Sequence, residues 1–319
     1  MNMKRQPVIL ACDVGGTRIK LGLVRGARLL ARVELDALPA KGLAAALKRI
    51  ARASRTLCKD AGLAVTQLHG FGLSFPGIVE PLTEKILSTP AGKFDDAKTL
   101  DVPKLVAALL AIPTRVCNDA NAALAGEIAF GAARGSRNVV MMTLGTGIGS
   151  AAIIEGVPLR GRHGQAGILG GHLTVNLHGR DCLCGNVGCP ETEASGWALP
   201  ALIRAHPDFA ASRLARELTL DFAAIFRAAS QGDRVATGFC KRAIQVWSVS
   251  LVNLIHAYDP ECAIIGGGVL RGGNVILTGL RRHVARHAWT PWGKVRIKPA
   301  ALCNDAGMFG VASLFQNAK

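Results

Sequence analysis

Apolar runs interrupted by glycine turns open the chain. Val8 to Asp13 is apolar and stops at Gly15-Gly16-Thr17, after which Ile19 to Val24 and Arg28 to Leu35 are again strand-like. A strand, a glycine turn and a further strand predict a β-hairpin. The segments that follow alternate in type: a helix at about Leu43 to Lys59, a buried strand at about Gly70 to Ser74, a helix near Val102 to Leu110 and a strand at Thr114 to Cys117. This alternation predicts an α/β domain with a mixed sheet.

The same plan returns in the middle of the chain. After a helix from Ala120 to about Phe130, the apolar strand Val139 to Leu144 stops in the turn Gly145-Thr146-Gly147-Ile148-Gly149, and a further apolar segment runs from Ser150 to Ile154. Two such units that face one another can hold a nucleotide triphosphate between their backbone amides. The weak repeat therefore predicts two domains with a cleft between them.

The rest of the chain is mainly helical and contains one more strand that ends in glycines. The predicted segments are an amphipathic stretch from about Arg234 to Ala257, a strand from Glu261 to Ile265 that ends in Gly266-Gly267-Gly268, a helix from Val275 to His287, a strand from Val295 to Pro299 and a last helix from Asp305 to Phe315. We expect an N-terminal α/β domain over residues 1–118, joined by a C-terminal helix over residues 305–319. A C-terminal α/β domain is expected over residues 119–304.

Composition agrees with this organisation. The 319 residues are 50% hydrophobic and include 37 glycines, which fits two well-packed α/β domains. No apolar run reaches the roughly 18 to 20 residues of a membrane span, and the first residues lack the pattern of a secretion signal. We therefore expect a soluble, cytoplasmic protein with no membrane partner.

The net charge of +16 raises the question of a polyanionic partner. The Lys and Arg residues are dispersed through alanine-rich helical stretches such as Ala44 to Arg55 and Ser212 to Arg216. We therefore expect a basic, solvated surface that attracts phosphorylated ligands weakly, and no nucleic-acid partner.

Three of the nine cysteines lie in one short loop, Cys182-Leu183-Cys184-Gly185-Asn186-Val187-Gly188-Cys189, and His172 precedes it. An odd number of cysteines without a secretion signal argues against a disulfide framework. One imidazole and three thiolates suit tetrahedral zinc, and four protein ligands would make that zinc structural. The alternative is three idle thiols, and the glycines placed where a compact metal loop must turn argue against it.

Glycine turns at three places suggest a phosphate-binding function. Asp13 ends a buried strand beside Gly15-Gly16-Thr17, where its carboxylate could hold Mg²⁺ or a water on it while the glycines let a phosphate approach. The alternative is an ordinary hairpin turn whose aspartate bonds to its own backbone. Gly145-Thr146-Gly147 offers a second set of hydroxyl and amide donors, and Gly266-Gly267-Gly268 a third loop for adenine and ribose.

The pair Asn118-Asp119 follows a strand and opens a helix. A carboxylate at this place could accept the proton of an attacking hydroxyl, as phosphoryl transfer requires. The alternative is that Asp119 merely caps the helix that begins at Ala120.

Taken together, these motifs resemble those of the ROK family (Repressor, ORF, Kinase), which contains bacterial glucokinases, fructokinases, N-acetylhexosamine kinases and related sugar-responsive repressors. The resemblance covers almost the whole chain. It rests on DVGGT at 13–17, FPG at 75–77, NDAN at 118–121, LGTGIG at 144–149, GH at 171–172, CLCGNVGCPE at 182–191 and IGGGV at 265–269.

The resemblance implies an actin-like ATPase (ribonuclease H-like) fold, with two α/β domains and a nucleotide and sugar cleft between them. It implies ATP with Mg²⁺, phosphorylation of a hexose or N-acetylhexosamine, usually at the 6-hydroxyl, and a homodimer. Asp119 is the implied general base, and the zinc is expected to shape the sugar pocket. The other implied contacts are Gly77, Asn118, Asp119, His172 and Glu191 for the sugar; His172, Cys182, Cys184 and Cys189 for zinc; and Asp13, Gly15, Gly16, Thr17, Arg18, Gly145, Thr146, Gly147, Gly266, Gly267 and Gly268 for the nucleotide and its metal.

The sequence departs from the family pattern before the zinc histidine. Family kinases usually have a glutamate three residues before it, whereas Leu169 or Ile168 stands there in this chain, depending on the register. Neither side chain can accept a hydrogen bond from a sugar hydroxyl, which changes the sugars that a site tolerates. The asparagine that often follows the family's Thr-Pro is also replaced, by Ala91.

Two alternatives to an ATP-dependent sugar kinase follow. One is a non-catalytic, sugar-sensing regulator, although about seven residues precede Val8, too few for the DNA-reading domain of a family repressor, which we therefore do not expect. The other keeps the enzyme and replaces ATP by inorganic polyphosphate, attracted by the positive surface.

Overall fold

The computed structural model describes residues 6–90 and 92–316, so that Ala91 lies outside the described residues. The strands are β1 (Val8–Val14), β2 (Arg18–Arg25), β3 (Arg28–Asp36), β4 (Gly70–Phe75), β5 (Ile78–Val79), β6 (Ile86–Ser88), β7 (Thr114–Asn118), β8 (Val139–Leu144), β9 (Ile148–Ile154), β10 (Val157–Pro158), β11 (Cys262–Gly266) and β12 (Arg296–Pro299). The α-helices are α1 (Leu43–Asp60), α2 (Val102–Leu110), α3 (Asp119–Phe130), α4 (Pro190–Ala194), α5 (Leu199–Arg204), α6 (Phe222–Ser230), α7 (Arg234–Tyr258), α8 (Asn274–His287) and α9 (Ala306–Ser313).

The strands and helices predicted from the sequence are confirmed, with bounds that agree within about two residues, except for the C-terminal helix expected over residues 305–319. That segment is α-helical over Ala306–Ser313, and its residues 317–319 lie outside the described residues. What the patterns did not predict are the short hairpin of β5 and β6 and the details of the region between the zinc loop and α7. The amphipathic α7 buries Trp247 completely in the core. Across residues 6–90 and 92–316, no helix combines the length and apolarity of a membrane span.

Two five-stranded sheets share one topology. The first has the order β3-β2-β1-β4-β7 and the second the order β10-β9-β8-β11-β12. In each, the three strands at one edge are antiparallel neighbours, and the other two continue the sheet in parallel. The repeat suspected from the glycine turns is therefore a repeat of the whole sheet, with a turn after β1 and a turn after β8 at corresponding places.

The chain divides into two compact units, each with its own apolar core. Unit 1 comprises the described residues up to Gly135, the segment Arg160–Ala166 and the described residues from Asn304 onward. Unit 2 comprises Ser136–Leu159 and Gly167–Cys303.

The division falls after α3, whereas the sequence suggested a boundary at residue 118. The reason is the close packing of α3 against α9, which needs glycine on both helices. A Cβ at Gly310 of α9 would lie 1.6 Å from the carbonyl oxygen of Ala122, and a Cβ at Gly126 of α3 would lie 2.4 Å from that of Ala306. Since α9 also packs on the sheet of unit 1, α3 remains with that unit.

Candidate functional site

Asp13 lies at the end of β1, next to the first glycine turn. Its Oδ1 accepts a hydrogen bond from the Ser74 hydroxyl on the neighbouring strand (2.7 Å), and its Oδ2 is 3.2 Å from Lys20 Nζ. Gly307 allows the close approach of α9, since a Cβ there would lie 2.8 Å from Asp13 Oδ1. These side-chain bonds of Asp13 go to other strands and not to its own turn, which argues against the ordinary hairpin turn considered above.

The first glycine turn keeps backbone donors available. Gly15 donates its N–H to the carbonyl of Arg18 (2.9 Å), which closes the turn. Within residues 6–90 and 92–316, the N–H groups of Gly16 and Thr17 meet no acceptor, so both can bind an anion. The guanidinium of Arg18 turns to the exposed carboxylate of Asp36, at 2.6 Å.

Asn118 and Asp119 divide two tasks at the start of α3. Asn118 is the cap residue: its Oδ1 accepts the N–H groups of Ala120 and Asn121 (both 3.1 Å), and its Nδ2 donates to the Gly77 carbonyl (2.9 Å). Asp119 Oδ1 accepts from Asn118 Nδ2 (3.0 Å) and from the Ala120 N–H (2.8 Å). Both of these bonds go to Oδ1, which leaves Oδ2 available to a ligand.

The surroundings of Asp119 favour its protonated form. Burial, and after it the negative charge of Asp13, raises the pKa of Asp119 to about 6. The hydrogen bonds from Ala120 and Asn118 act in the opposite direction and are outweighed. A carboxylate with a pKa just below neutrality is suited to accept a proton near physiological pH.

The second glycine turn, after β8, is held by its neighbours. Gly145 donates to the Gly147 carbonyl (3.0 Å), and the carbonyls of Gly145 and Thr146 accept the N–H groups of Gly196 and Trp197 (3.0 and 2.9 Å). As in the first turn, two N–H groups, those of Thr146 and Gly147, meet no acceptor among the described residues. The backbone is thus fixed while two donors remain available to a phosphate.

The third glycine turn lies directly beside the second. Gly266, the last residue of β11, pairs with Thr143 of β8. Gly267 has a φ of 95°, and a Cβ on it would lie 2.1 Å from the Leu144 carbonyl oxygen, so only glycine fits. Gly268 begins a short 3₁₀ helix that ends at Gly272. The structure thus brings the predicted glycines of unit 2 together.

The four predicted zinc ligands converge. The ligand atoms of His172, Cys182, Cys184 and Cys189 all lie within 4.8 Å of one another. Cys182 Sγ is 3.6 Å from His172 Nδ1, and the sulfurs of Cys184 and Cys189 are 3.8 Å apart. Tetrahedral zinc with Zn–S bonds of about 2.3 Å and a Zn–N bond of about 2.0–2.1 Å separates two sulfurs by about 3.8 Å and a sulfur from a nitrogen by about 3.6 Å. The arrangement therefore fits the ion.

The zinc loop is continuous with Glu191. Cys189 precedes α4, which carries Glu191 in its first turn. One carboxylate oxygen of Glu191 accepts the Ile148 N–H (2.5 Å) and the other the Trp197 indole N–H (2.8 Å). Gly147 leaves room for this, because a Cβ there would lie 2.7 Å from Glu191 Oε1. Glu191 thus joins the predicted metal loop to the second glycine turn.

The comparisons with known proteins agree with this arrangement. A model of the ROK family matches residues 9–318. The chain belongs to the ROK family. The glucokinase of Thermotoga maritima is 31% identical over 315 residues, 97% of each chain. The xylose repressor of Bacillus subtilis is 27% identical over 248 residues, 77% of this chain and 61% of that protein.

A solved structure gives the same result. The ROK family glucokinase from Streptomyces griseus, crystallised in complex with glucose and AMPPNP, is 31% identical, with a TM-score of 0.78 over 96% of this chain and 98% of that one. The actin-like fold with two α/β domains, expected from the resemblance, is confirmed.

Ser150 fixes the segment before His172, where this ROK chain departs from the family pattern. Ser150 holds the segment at both ends: its hydroxyl donates to the Gly167 carbonyl (2.6 Å) and accepts the Gly170 N–H (2.7 Å). Between these points Ile168 is buried, whereas Leu169 exposes 38% of its surface. The side chain three residues before His172 in this ROK protein is therefore an exposed leucine.

Several residues at these places were not identified from the sequence. Ser74 and Lys20 were missed because they reach Asp13 across the sheet, and a serine or lysine at such a place has no local signature. Trp197 was also missed, because its indole lies at the second glycine turn and donates to Glu191, 6 positions before it in the chain but outside every motif used above.

Proposed function

We propose that this ATP-dependent sugar kinase transfers the γ-phosphoryl group of MgATP to the 6-hydroxyl of a hexose or N-acetylhexosamine, with Asp119 as general base. The observation that carries the proposal is the division of labour at α3. Because Asn118 caps the helix, Asp119 is not needed as the cap, and the donors of Asn118 and Ala120 both go to its Oδ1 and leave Oδ2 to a ligand. Its raised pKa, about 6, agrees with a base that loses its proton near neutral pH.

We propose that the glycine turns bind the phosphoryl donor, MgATP. The available N–H groups of Gly16, Thr17, Thr146 and Gly147 are suited to phosphate oxygens. The Asp13 carboxylate, oriented by Ser74, offers oxygen ligands of the kind that Mg²⁺ prefers, next to the first glycine turn. When bound, Mg²⁺ would neutralise charge on the phosphates.

As contacts of the sugar acceptor we propose Gly77, Asn118, Asp119, His172 and Glu191. Asn118 Nδ2 already orders the Gly77 carbonyl, and Glu191 is oriented by two donors. The choice between a hexose and an N-acetylhexosamine rests on Ile168 and Leu169, one of which replaces the glutamate expected of family kinases; Ile168 is buried and Leu169 exposes 38% of its surface. We propose that this selects against some of the sugars that the family phosphorylates.

We further propose a structural zinc on His172, Cys182, Cys184 and Cys189. The separations of the ligand atoms support it, as does the positive φ of Gly185 and Gly188 in the loop (89° and 65°). Four protein ligands leave no open position for a reacting water. The ion would order His172 and the start of α4, and through it Glu191.

The deciding experiment measures ADP release with MgATP and glucose, mannose, fructose, allose, N-acetylglucosamine or N-acetylmannosamine. Asp119→Asn keeps the oxygen that accepts the Ala120 N–H and removes the base, so kcat should fall by roughly 10²–10⁴-fold. Asp60→Asn, at an exposed carboxylate on α1, is the control and should match wild type. Equal turnover by the two variants would contradict the assignment of the base.

Wild-type kcat/KM should fall about tenfold per pH unit below about pH 6, where Asp119 becomes protonated.

A second candidate is a sugar-sensing regulator that does not catalyse transfer. The similarity to a xylose repressor and the leucine at position 169 favour it. It predicts sugar binding by calorimetry without ADP release from any of the six sugars.

A further inference from the structure

Lys93 places an ammonium group against the first glycine turn. A Cβ on Gly16 would lie 2.9 Å from Lys93 Nζ, so the amine occupies the space beside this α-carbon. No motif pointed to Lys93, because it is 77 residues from Gly16 along the chain, at a place where lysine has no signature. The position of the amine is a property of the fold.

The backbone beneath Lys93 is anchored on both sides. Its N–H donates to the Pro90 carbonyl (3.0 Å), and the N–H of Phe94 donates to that of Pro39 (3.1 Å). The Phe94 ring is fully buried and packs edge-on against Phe75, with ring centroids 5.9 Å apart. Lys93 itself is half-buried. Its amine is therefore held in a smaller volume than that of an exposed lysine.

The other cations near this turn already have partners. Lys20 binds Asp13 and the Asn304 carbonyl (2.7 Å), and Arg18 binds Asp36. Over residues 6–90 and 92–316, by contrast, no carboxylate lies within 4.0 Å of Lys93 Nζ. An uncompensated ammonium and two unbonded N–H groups, those of Gly16 and Thr17, thus lie at one turn.

We propose that Lys93 binds the phosphoryl group during its transfer, an inference that rests on the proposed kinase function. In the reaction the acceptor oxygen bonds to the γ-phosphorus, the bond from that phosphorus to the ADP oxygen breaks, and the hydroxyl proton passes to Asp119. Negative charge spreads over the three remaining oxygens of the phosphoryl group. Lys93 keeps its protons and acts as a point charge towards these oxygens.

Three variants test this. Lys93→Met removes the charge at similar length, Lys93→Arg retains it, and Lys98→Met is the control at an exposed lysine five residues away. Because Lys93→Met would remove a hydrogen bond to a charged group, we expect it to lower kcat/KM for MgATP by about 10- to 100-fold. Lys93→Arg should recover most of the loss, and Lys98→Met should equal wild type. Equal thermal unfolding midpoints would show that the variants are folded.

Calorimetry with MgAMPPNP and MgADP provides a readout that does not need turnover. Lys93→Met should weaken MgAMPPNP and leave MgADP unchanged, because ADP lacks the group that Lys93 contacts. Product inhibition by the sugar phosphate provides a second test. If Lys93→Met weakens this inhibition but leaves MgAMPPNP binding unchanged, Lys93 contacts the phosphoryl group after its transfer instead of before it. That result would still support the proposal.

The proposal is overturned if Lys93→Met equals Lys98→Met in nucleotide affinity, kcat/KM and product inhibition. It is also overturned if MgADP and MgAMPPNP weaken equally, or if the wild type binds neither. The kinase function fails separately: if no sugar is phosphorylated but MgAMPPNP alone depends on Lys93, the contact stands and the reaction does not.

Discussion

The two glycine turns after β1 and β8 occupy the same place in sheets of the same order, yet they differ in what surrounds them. The first follows Asp13, whose carboxylate is bonded to Ser74 and Lys20. At the corresponding place before the second turn stands Thr143, which carries no charge. The second turn is instead held from outside, by Glu191 and by the N–H groups of Gly196 and Trp197.

Under the proposed function, this difference gives the two turns different tasks. Both turns leave two N–H groups without acceptors among the described residues, so both are suited to phosphate. The first turn lies beside charged groups: the Asp13 carboxylate can bind a metal ion, and the Lys20 ammonium can stabilise negative charge. The second is held at more points, because the Gly145 and Thr146 carbonyls and the Ile148 N–H are all bonded, whereas in the first turn the Thr17 carbonyl accepts the Ala37 N–H (2.9 Å). Charge effects should therefore concentrate in unit 1, and effects of loosened structure in unit 2.

Substituting the two corresponding residues, Asp13 before the first turn and Thr143 before the second, should give the most unequal result. Asp13→Asn preserves shape and an acceptor for Ser74 but loses the carboxylate proposed for Mg²⁺, so kcat/KM should fall by roughly 10²–10³-fold. Thr143→Val, a change of similar size in unit 2, should cost less than about threefold. Steady-state kinetics with MgATP measures both. If the two variants lose activity equally, the division of roles between the turns is wrong.

Loss of the proposed zinc should have a smaller effect, which reaches the second turn through Glu191. Cys184→Ser removes one ligand, and we expect zinc, measured by atomic emission, to fall from about one per chain. The start of α4 should then loosen and kcat/KM should drop by about tenfold. Cys303→Ser, at an exposed thiol outside the cluster, should leave metal and activity unchanged. A Cys184→Ser protein that keeps its zinc, or that loses it and stays fully active, would remove the link from the metal to the turn.

The sequence predicted those parts of the fold and site that depend on neighbours in the chain. The hairpin of β1 and β2, the start of α3 and the Cys182–Cys189 loop are specified by local spacing, and the structure has them where they were expected. Contacts between distant segments were not predictable. Ser74 reaches Asp13 over 61 positions, and α3 stays with unit 1 because glycines let it pack on α9. Such pairs become visible only once the sheet order is known.

The smallest effect should come from removing the hydrogen bond between the Trp197 indole and Glu191, beside the second turn. Trp197→Phe keeps the ring and removes the indole N–H that donates to Glu191 Oε1, while the Ile148 N–H continues to hold the other oxygen. Trp197 is 43% exposed, so the bond competes with water and is worth about 0.5–1.5 kcal/mol, or roughly a two- to tenfold change in KM. Trp292→Phe, at another exposed tryptophan of unit 2, should change nothing. Because the role is to hold the turn, the loss should appear in KM with kcat nearly constant. A loss in kcat alone would instead mean that Glu191 contributes charge to the transfer, as we propose for Asp13.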